Sequence, residues 1–186
     1  MAWLNASTLA GDSMDPTLNP TLFANTKVLV IDDEHHMRKV VRTLLMSIGV
    51  RTIYEAADGI SGLELIRTMS PHVVIVDWQM PGLDGPSFVR SVRSPDTFPY
   101  PDVPIIMLTG HSERSRVLEA VEIGVHEFLL KPVSSKALAD RLAAVLVNPR
   151  KVVRRGDYYG PEPRKPLSLR DIGDSANAVV KRFYVN

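Results

Sequence analysis

Four apolar residues, Val73-Val74-Ile75-Val76, run without a break into Asp77 and then into a turn, Met80-Pro81-Gly82-Leu83-Asp84-Gly85. A short, wholly apolar, mostly β-branched run closed by turn formers reads as a strand buried on both faces, the usual state of strands in a parallel sheet. The pattern recurs. Val28-Leu29-Val30-Ile31 ends in Asp32-Asp33-Glu34, Ile105-Ile106-Met107-Leu108 ends in Thr109-Gly110, and Glu127-Phe128-Leu129-Leu130 ends in Lys131-Pro132. Thr52-Ile53-Tyr54-Glu55-Ala56 supplies one more short strand.

Between these runs the period changes from two to about 3.6. Met37, Val40, Val41, Leu44, Leu45 and Ile48 recur at three- and four-residue steps, and Gly49 closes the stretch as a C-terminal cap. Ile60, Leu63, Ile66 and Met69 make a second helical face, stopped by Pro71. A third helix spans about Gly85 to Val92, a fourth carries Val117, Leu118 and Val121 and ends at Gly124, and a fifth begins at Ser134 or Ser135 with Leu138, Leu142, Val145 and Leu146 inward. Ser94 to Asp102 contains Pro95, Pro99 and Pro101 and reads as loop. Strand–helix alternation repeated five times implies parallel pairing through right-handed crossovers. The expected fold is therefore α/β, a flavodoxin-like doubly wound five-stranded parallel sheet in the order 2-1-3-4-5 with helices on both faces.

That unit occupies residues 26–148 of a chain of 186. Residues 1–25 mix Ser, Thr, Asn, Asp and Pro without period and read as a flexible extension, and Met14 is an alternative start. Residues 149–186 read as a basic tail, too polar and Pro-rich for a second core and too short for an independent output domain. The net charge of +1 conceals this asymmetry: two acids and no base before residue 26, 13 bases and 15 acids in the body, nine bases and four acids in the tail. There is no cysteine, which excludes disulfides, thiolate metal sites and a Cys nucleophile. No apolar run approaches the roughly 20 residues of a membrane span, and the N-terminus lacks the pattern of a signal peptide, so a cytoplasmic location is expected.

In a parallel sheet the strand carboxyl ends share one edge, where open α/β sheets bind ligands. Asp32 and Asp33, Asp77, Thr109 and Lys131 all occupy such ends. Clustered carboxylates repel unless a cation joins them, and hard oxygen donors suit Mg²⁺. A lysine and a hydroxyl facing that cluster are what phosphoryl oxygens need, and a carboxylate can itself be the nucleophile. Taken singly, Asp77 reads equally well as a helix-capping or turn aspartate.

Together, Ile31-Asp32-Asp33-Glu34, Asp77-Trp78-Gln79-Met80-Pro81-Gly82-Leu83-Asp84-Gly85, Leu108-Thr109-Gly110 and Leu130-Lys131-Pro132 resemble the CheY-like receiver domain of bacterial two-component response regulators, specifically the stand-alone type. The resemblance implies that a histidine kinase or histidine phosphotransfer protein donates a phosphoryl group to Asp77. It implies Mg²⁺ held by Asp33, Asp77 and the backbone carbonyl of Gln79, with Asp32 contributing through water. Thr109 and Lys131 would bind phosphoryl oxygens, and the Lys131–Pro132 bond would be cis. Phosphorylation would draw the Thr109 hydroxyl inward, with Phe128 following as an aromatic switch. Gln79 and His111 would tune phosphate loss. The output surface would be the face made by the fourth helix, fifth strand and fifth helix. An unnamed downstream protein would read that face, which is also a candidate homodimer surface. Such a protein catalyses only its own phosphorylation and dephosphorylation and is not otherwise an enzyme.

The chain departs from the pattern twice. The Ser94–Asp102 loop is longer than expected, and Tyr158-Tyr159-Gly160-Pro161-Glu162 in the tail resembles a segment of some stand-alone receivers of α-proteobacteria. Two other functions use parts of the same pattern. An aspartate-nucleophile phosphohydrolase needs a second carboxylate two residues past the nucleophile, and that position is Gln79. A DNA-binding regulator would use the tail, but no helix-turn-helix or aromatic-interleaved platform is visible there, which argues against nucleic acid. His35 and His36 are adjacent on a helix, point apart, and read as solvated.

Overall fold

The computed structural model describes residues 20–110 and 114–163. Five strands form one parallel sheet: β1 (Lys27–Ile31), β2 (Thr52–Ala56), β3 (Val73–Asp77), β4 (Ile105–Thr109) and β5 (Glu127–Leu130), in the order β2-β1-β3-β4-β5. The expected fold and strand order are both present. Every residue of β3 and β4 is buried, as their unbroken apolar runs require.

Alternate residues of each strand serve opposite layers. Leu29, Ile31, Val74, Val76, Ile105, Met107 and Phe128 pack against α3 (Gly59–Met69), α4 (Gly85–Val92) and α5 (Arg114–Glu122). Val28, Val30, Val73, Ile75, Ile106, Leu108 and Leu129 pack against α2 (His35–Ser47) and α6 (Ser135–Val147). Ser134 caps α6 by accepting a hydrogen bond from the Ala137 amide at 3.2 Å. In α3 the packing face differs from the periodic reading. Gly59, Gly62 and Ile66 are buried, whereas Ile60 is 71% exposed. Gly62 lets the helix close down onto Ile31 and Phe88, which rotates Ile60 outward.

Part of the N-terminal extension is ordered, contrary to the expectation of flexibility up to residue 25. Pro20–Ala24 forms a one-turn helix, α1, whose Phe23 is 1% exposed and joins the α2–α6 layer. Thr26 closes it by donating its hydroxyl to the Leu22 carbonyl at 2.8 Å. One turn is too short to show a period, so only the tertiary cavity that Phe23 fills reveals it.

The first part of the tail is also ordered. β6 (Val152–Arg155) and β7 (Tyr158–Pro161) pair as an antiparallel hairpin. It builds no second core; it packs on the first. Gly160 lies so close to Gly124 that a Cβ there would stand 2.6 Å from the Gly124 Cα. The Tyr159 hydroxyl donates to Asp102 at 2.5 Å, and Arg154 pairs with Asp96 at 3.3 Å. The long Ser94–Asp102 loop is thus the platform for the hairpin, and the two departures from the family pattern account for each other. Leu167 through Phe183, whose sequence allows a weak helix, lies outside the described residues.

Under the hairpin sits Arg93, 6% exposed. It donates to the carbonyls of Gly124 and Pro101 and to His126 Nδ1. Burial pulls its pKa down to about 10, so it stays charged at neutral pH. Arg150, where the chain leaves α6, donates to the carbonyls of Val125 and His126.

Candidate functional site

Parallel register carries the strand ends to one edge, opposite the hairpin. Ile31 pairs with Val76, Asp77 with Leu108, and Thr109 with Leu130, so each following polar residue emerges beside the next. Beyond the ladder the amides stay engaged: Asp32 donates to Ala56, Trp78 to Leu108 and Lys131 to Thr109, at 2.8–3.3 Å. These bonds aim the side chains.

Asp32, Asp33 and Asp77 converge, with one oxygen of each within 4.8 Å of the others. Asp32 is buried, and its Oδ1 accepts from the Glu34 amide at 2.9 Å. Asp77 is 6% exposed, and its Oδ2 accepts from the Gln79 amide at 3.2 Å. Lys131 Nζ bridges Asp32 Oδ2 at 3.0 Å and Asp77 Oδ1 at 2.8 Å. Asp33 and Gln79 are exposed and line an open cleft of about 500 Å³ with Trp78, Met80, Pro81 and Asp84.

The electrostatics follow from this packing. Burial pushes the Asp32 carboxyl pKa up; Lys131 opposes that, and the nearby Asp77 charge adds to it. Burial pulls the Lys131 ammonium down, but its bonds to Asp77 and Asp32 outweigh that and leave its pKa above the ordinary lysine value. One ammonium therefore bridges two carboxylates of a cluster of three. A cluster of hard oxygens carrying surplus negative charge, open on one side to water, fits Mg²⁺.

Thr109 is 1% exposed at the end of β4, and Phe128 is 2% exposed on β5, opposite Met107. The Lys131–Pro132 bond is cis. His35 and His36 are both exposed, with His35 Nδ1 3.3 Å from Arg38. His111 lies outside the described residues.

Two contributors escaped the sequence reading. Gly85 brings its backbone onto the loop after Asp77: its amide donates to the Trp78 carbonyl at 3.0 Å, and a Cβ there would stand 2.3 Å from the Asp77 carbonyl oxygen. Asp84 caps α4 by accepting from the Ser87 amide at 2.8 Å, which fixes where that approach occurs. The second is Arg38. Its Nη1 donates to the carbonyls of Asp32 at 2.7 Å and Asp33 at 3.2 Å. The available signal was a cation near the start of a helix, where the dipole disfavours one.

Residues 28–143 match the family described as the response regulator receiver domain. Among curated proteins the chain is similar to chemotaxis protein CheY-3 of Vibrio cholerae, 30% identical over 118 residues, or 63% of this chain and 89% of that protein. It is also similar to chemotaxis protein CheY1 of Helicobacter pylori (strain 26695), 34% identical over 121 residues, covering 64% and 96%. Among solved structures, V. cholerae chemotaxis protein CheY4 aligns with a TM-score of 0.59 at 31% identity, covering 65% of this chain and 98% of that one. The receiver domain of Francisella response regulator 1452 aligns at 0.60 and 30%, covering 66% and 98%.

Proposed function

The chain belongs to the response regulator receiver family, and from that premise we propose that Asp77 is the phosphoacceptor of a two-component relay whose output is a protein–protein contact. The donor is a phosphohistidine on a kinase or a histidine phosphotransfer protein. An Asp77 carboxylate oxygen attacks phosphorus, the phosphorus–nitrogen bond breaks, and the leaving imidazole takes up a proton. The observation that carries this reading is the Lys131 ammonium set between Asp32 and Asp77 at 3.0 and 2.8 Å. It bridges two of the clustered carboxylates, and from there it can move to a phosphoryl oxygen.

Asp32, Asp33, Asp77 and the Gln79 carbonyl would hold Mg²⁺, which when bound offsets the negative charge shared by the carboxylates and the incoming phosphoryl group. Thr109 takes the remaining phosphoryl oxygen, and Phe128 follows its movement behind β4. The downstream protein reads the face made by α5, β5 and α6, which carries a groove around Phe128, Leu130, Pro132, Asp140 and Arg141 between β5 and α6. Protein contact is favoured over nucleic acid because the described part of the tail is a hairpin packed on the receiver core, with no helix-turn-helix among the described residues.

Incubation with Mg²⁺ and acetyl phosphate or phosphoramidate should yield an acid-stable, base-labile adduct on the wild-type chain and none on Asp77→Asn. An unlabelled wild type, or equal labelling of both, would sink the assignment.

A further inference from the structure

The acids of the site sit on a turn that leaves the sheet after Ile31 and enters α2 at His35. The Asp32 and Asp33 carbonyls lie in this turn, beyond the strand ladder, which ends at Ile31. Arg38 donates to both. Nη1 holds two successive carbonyls, those of Asp32 and Asp33, while Nε lies 3.8 Å from Glu55 Oε2 and Nη2 contacts His35 Nδ1. The side chain is only 14% exposed, and Glu55 on β2 is itself held by Arg42 at 2.8 Å. One guanidinium nitrogen thus holds both peptide carbonyls, while the Glu55 and His35 contacts orient the guanidinium plane, and together they brace the turn that aims two carboxylates.

We infer that Arg38 is a positioning residue for the divalent cation: it orients the Asp32–Asp33 turn so that both carboxylates meet Asp77. The inference rests on the Mg²⁺ reading of the site. It makes a claim about sign that charge alone contradicts. A cation this near the carboxylates repels Mg²⁺, so if Arg38 acted only through its charge, removing it would tighten binding. If it acts by positioning, removing it weakens binding despite the lost repulsion. Loss of a group that orients metal ligands typically costs about 10–100-fold in affinity.

Calorimetric Mg²⁺ titration of the full chain separates the two. The affinity of Arg38→Ala should fall at least about tenfold. Arg38→Lys should also fall, because a single ammonium keeps the charge but cannot hold both carbonyls and keep the Glu55 and His35 contacts that orient the guanidinium. Arg42→Ala, which loses the Glu55 pair but touches no carbonyl of the turn, should bind as wild type does. Tighter or unchanged binding by Arg38→Ala, with Arg38→Lys equal to wild type, overturns the inference. Circular dichroism shows whether each variant is folded, and a misfolded Arg38→Ala leaves Arg38→Lys to decide. Failure of wild type to bind Mg²⁺, or binding undiminished in Asp33→Asn, would instead reject the metal reading itself.

Discussion

The position of Asp77 depends on an atom that is absent. At Gly85 any side chain would enter the space held by the Asp77 carbonyl, with Trp78 Cα at 3.0 Å behind it. The obstruction is backbone, which cannot swing aside as a side-chain tip can. Gly85→Ala should therefore destabilise the chain by about 1–3 kcal/mol through overpacking. It should also slow phosphorylation from acetyl phosphate at least about tenfold, because small displacements of a reacting group carry large rate costs. Urea unfolding and initial rates of labelling measure the two effects; an unchanged labelling rate would show that the loop does not hold Asp77 in place. The carboxylates, the lysine and the threonine were legible because each follows an unbroken apolar run. Gly85 was legible as a turn residue, but not as a contact. What its missing Cβ would meet is a property of two segments brought together, and the chain's order does not contain it.

At the scale of elements, the β6–β7 hairpin and the Ser94–Asp102 loop form one unit, joined by Tyr159 to Asp102, Arg154 to Asp96 and the approach of Gly160 to Gly124. The loop is anchored in turn by Phe98, 4% exposed, beneath the Arg67 guanidinium at 4.8 Å. Gly160→Ala should push the hairpin off by placing a Cβ against Gly124 Cα and the Tyr158 ring. The expected cost is about 1–3 kcal/mol. Tryptic cleavage at Arg154 and Arg155 should accelerate, while labelling of Asp77 at the far edge of the sheet should stay within twofold of wild type. Cleavage no faster than wild type would mean the hairpin does not depend on that contact. Val152–Arg155 and Tyr158–Pro161 carry too few apolar residues to announce strands. They are held by a platform more than 40 residues earlier in the sequence, so local pattern had nothing to report.

Across the whole molecule, the additions to the five-stranded core, helix α1 and the hairpin, dock away from the carboxylate cluster, and the hairpin seals the amino ends of β4 and β5. His126 sits in that seal, 3% exposed. Its Nδ1 accepts from the Ile105 amide at 3.3 Å and the Arg93 guanidinium at 3.1 Å. Burial first, then the charges of Arg93 and Arg150, lower its pKa from 6.5 to about 2. The native ring therefore stays neutral where the unfolded ring takes a proton. Below about pH 6.5 the unfolded state holds the extra proton, so stability falls as pH drops, by at most about 1.4 kcal/mol per unit. Urea titrations at pH 7 and pH 5 should show a loss of about 2 kcal/mol from this group, and His126→Gln should remove that part of the slope whatever its own stability. An equal slope in the variant would place the acid sensitivity elsewhere. By itself the sequence determined the strand–helix alternation, hence a parallel sheet, and the residues at its carboxyl edge, because runs buried on both faces and a 3.6-residue helical period are local properties of the chain; the strand order followed only from the fold type that alternation suggests. The tertiary structure alone decided that Phe23 is core, that the tail's first strands belong to the domain, and that Arg38 grips the acidic turn. Each of these depends on a cavity, a close approach or a pair of carbonyls beyond the strand ladder that exists only after distant segments have met.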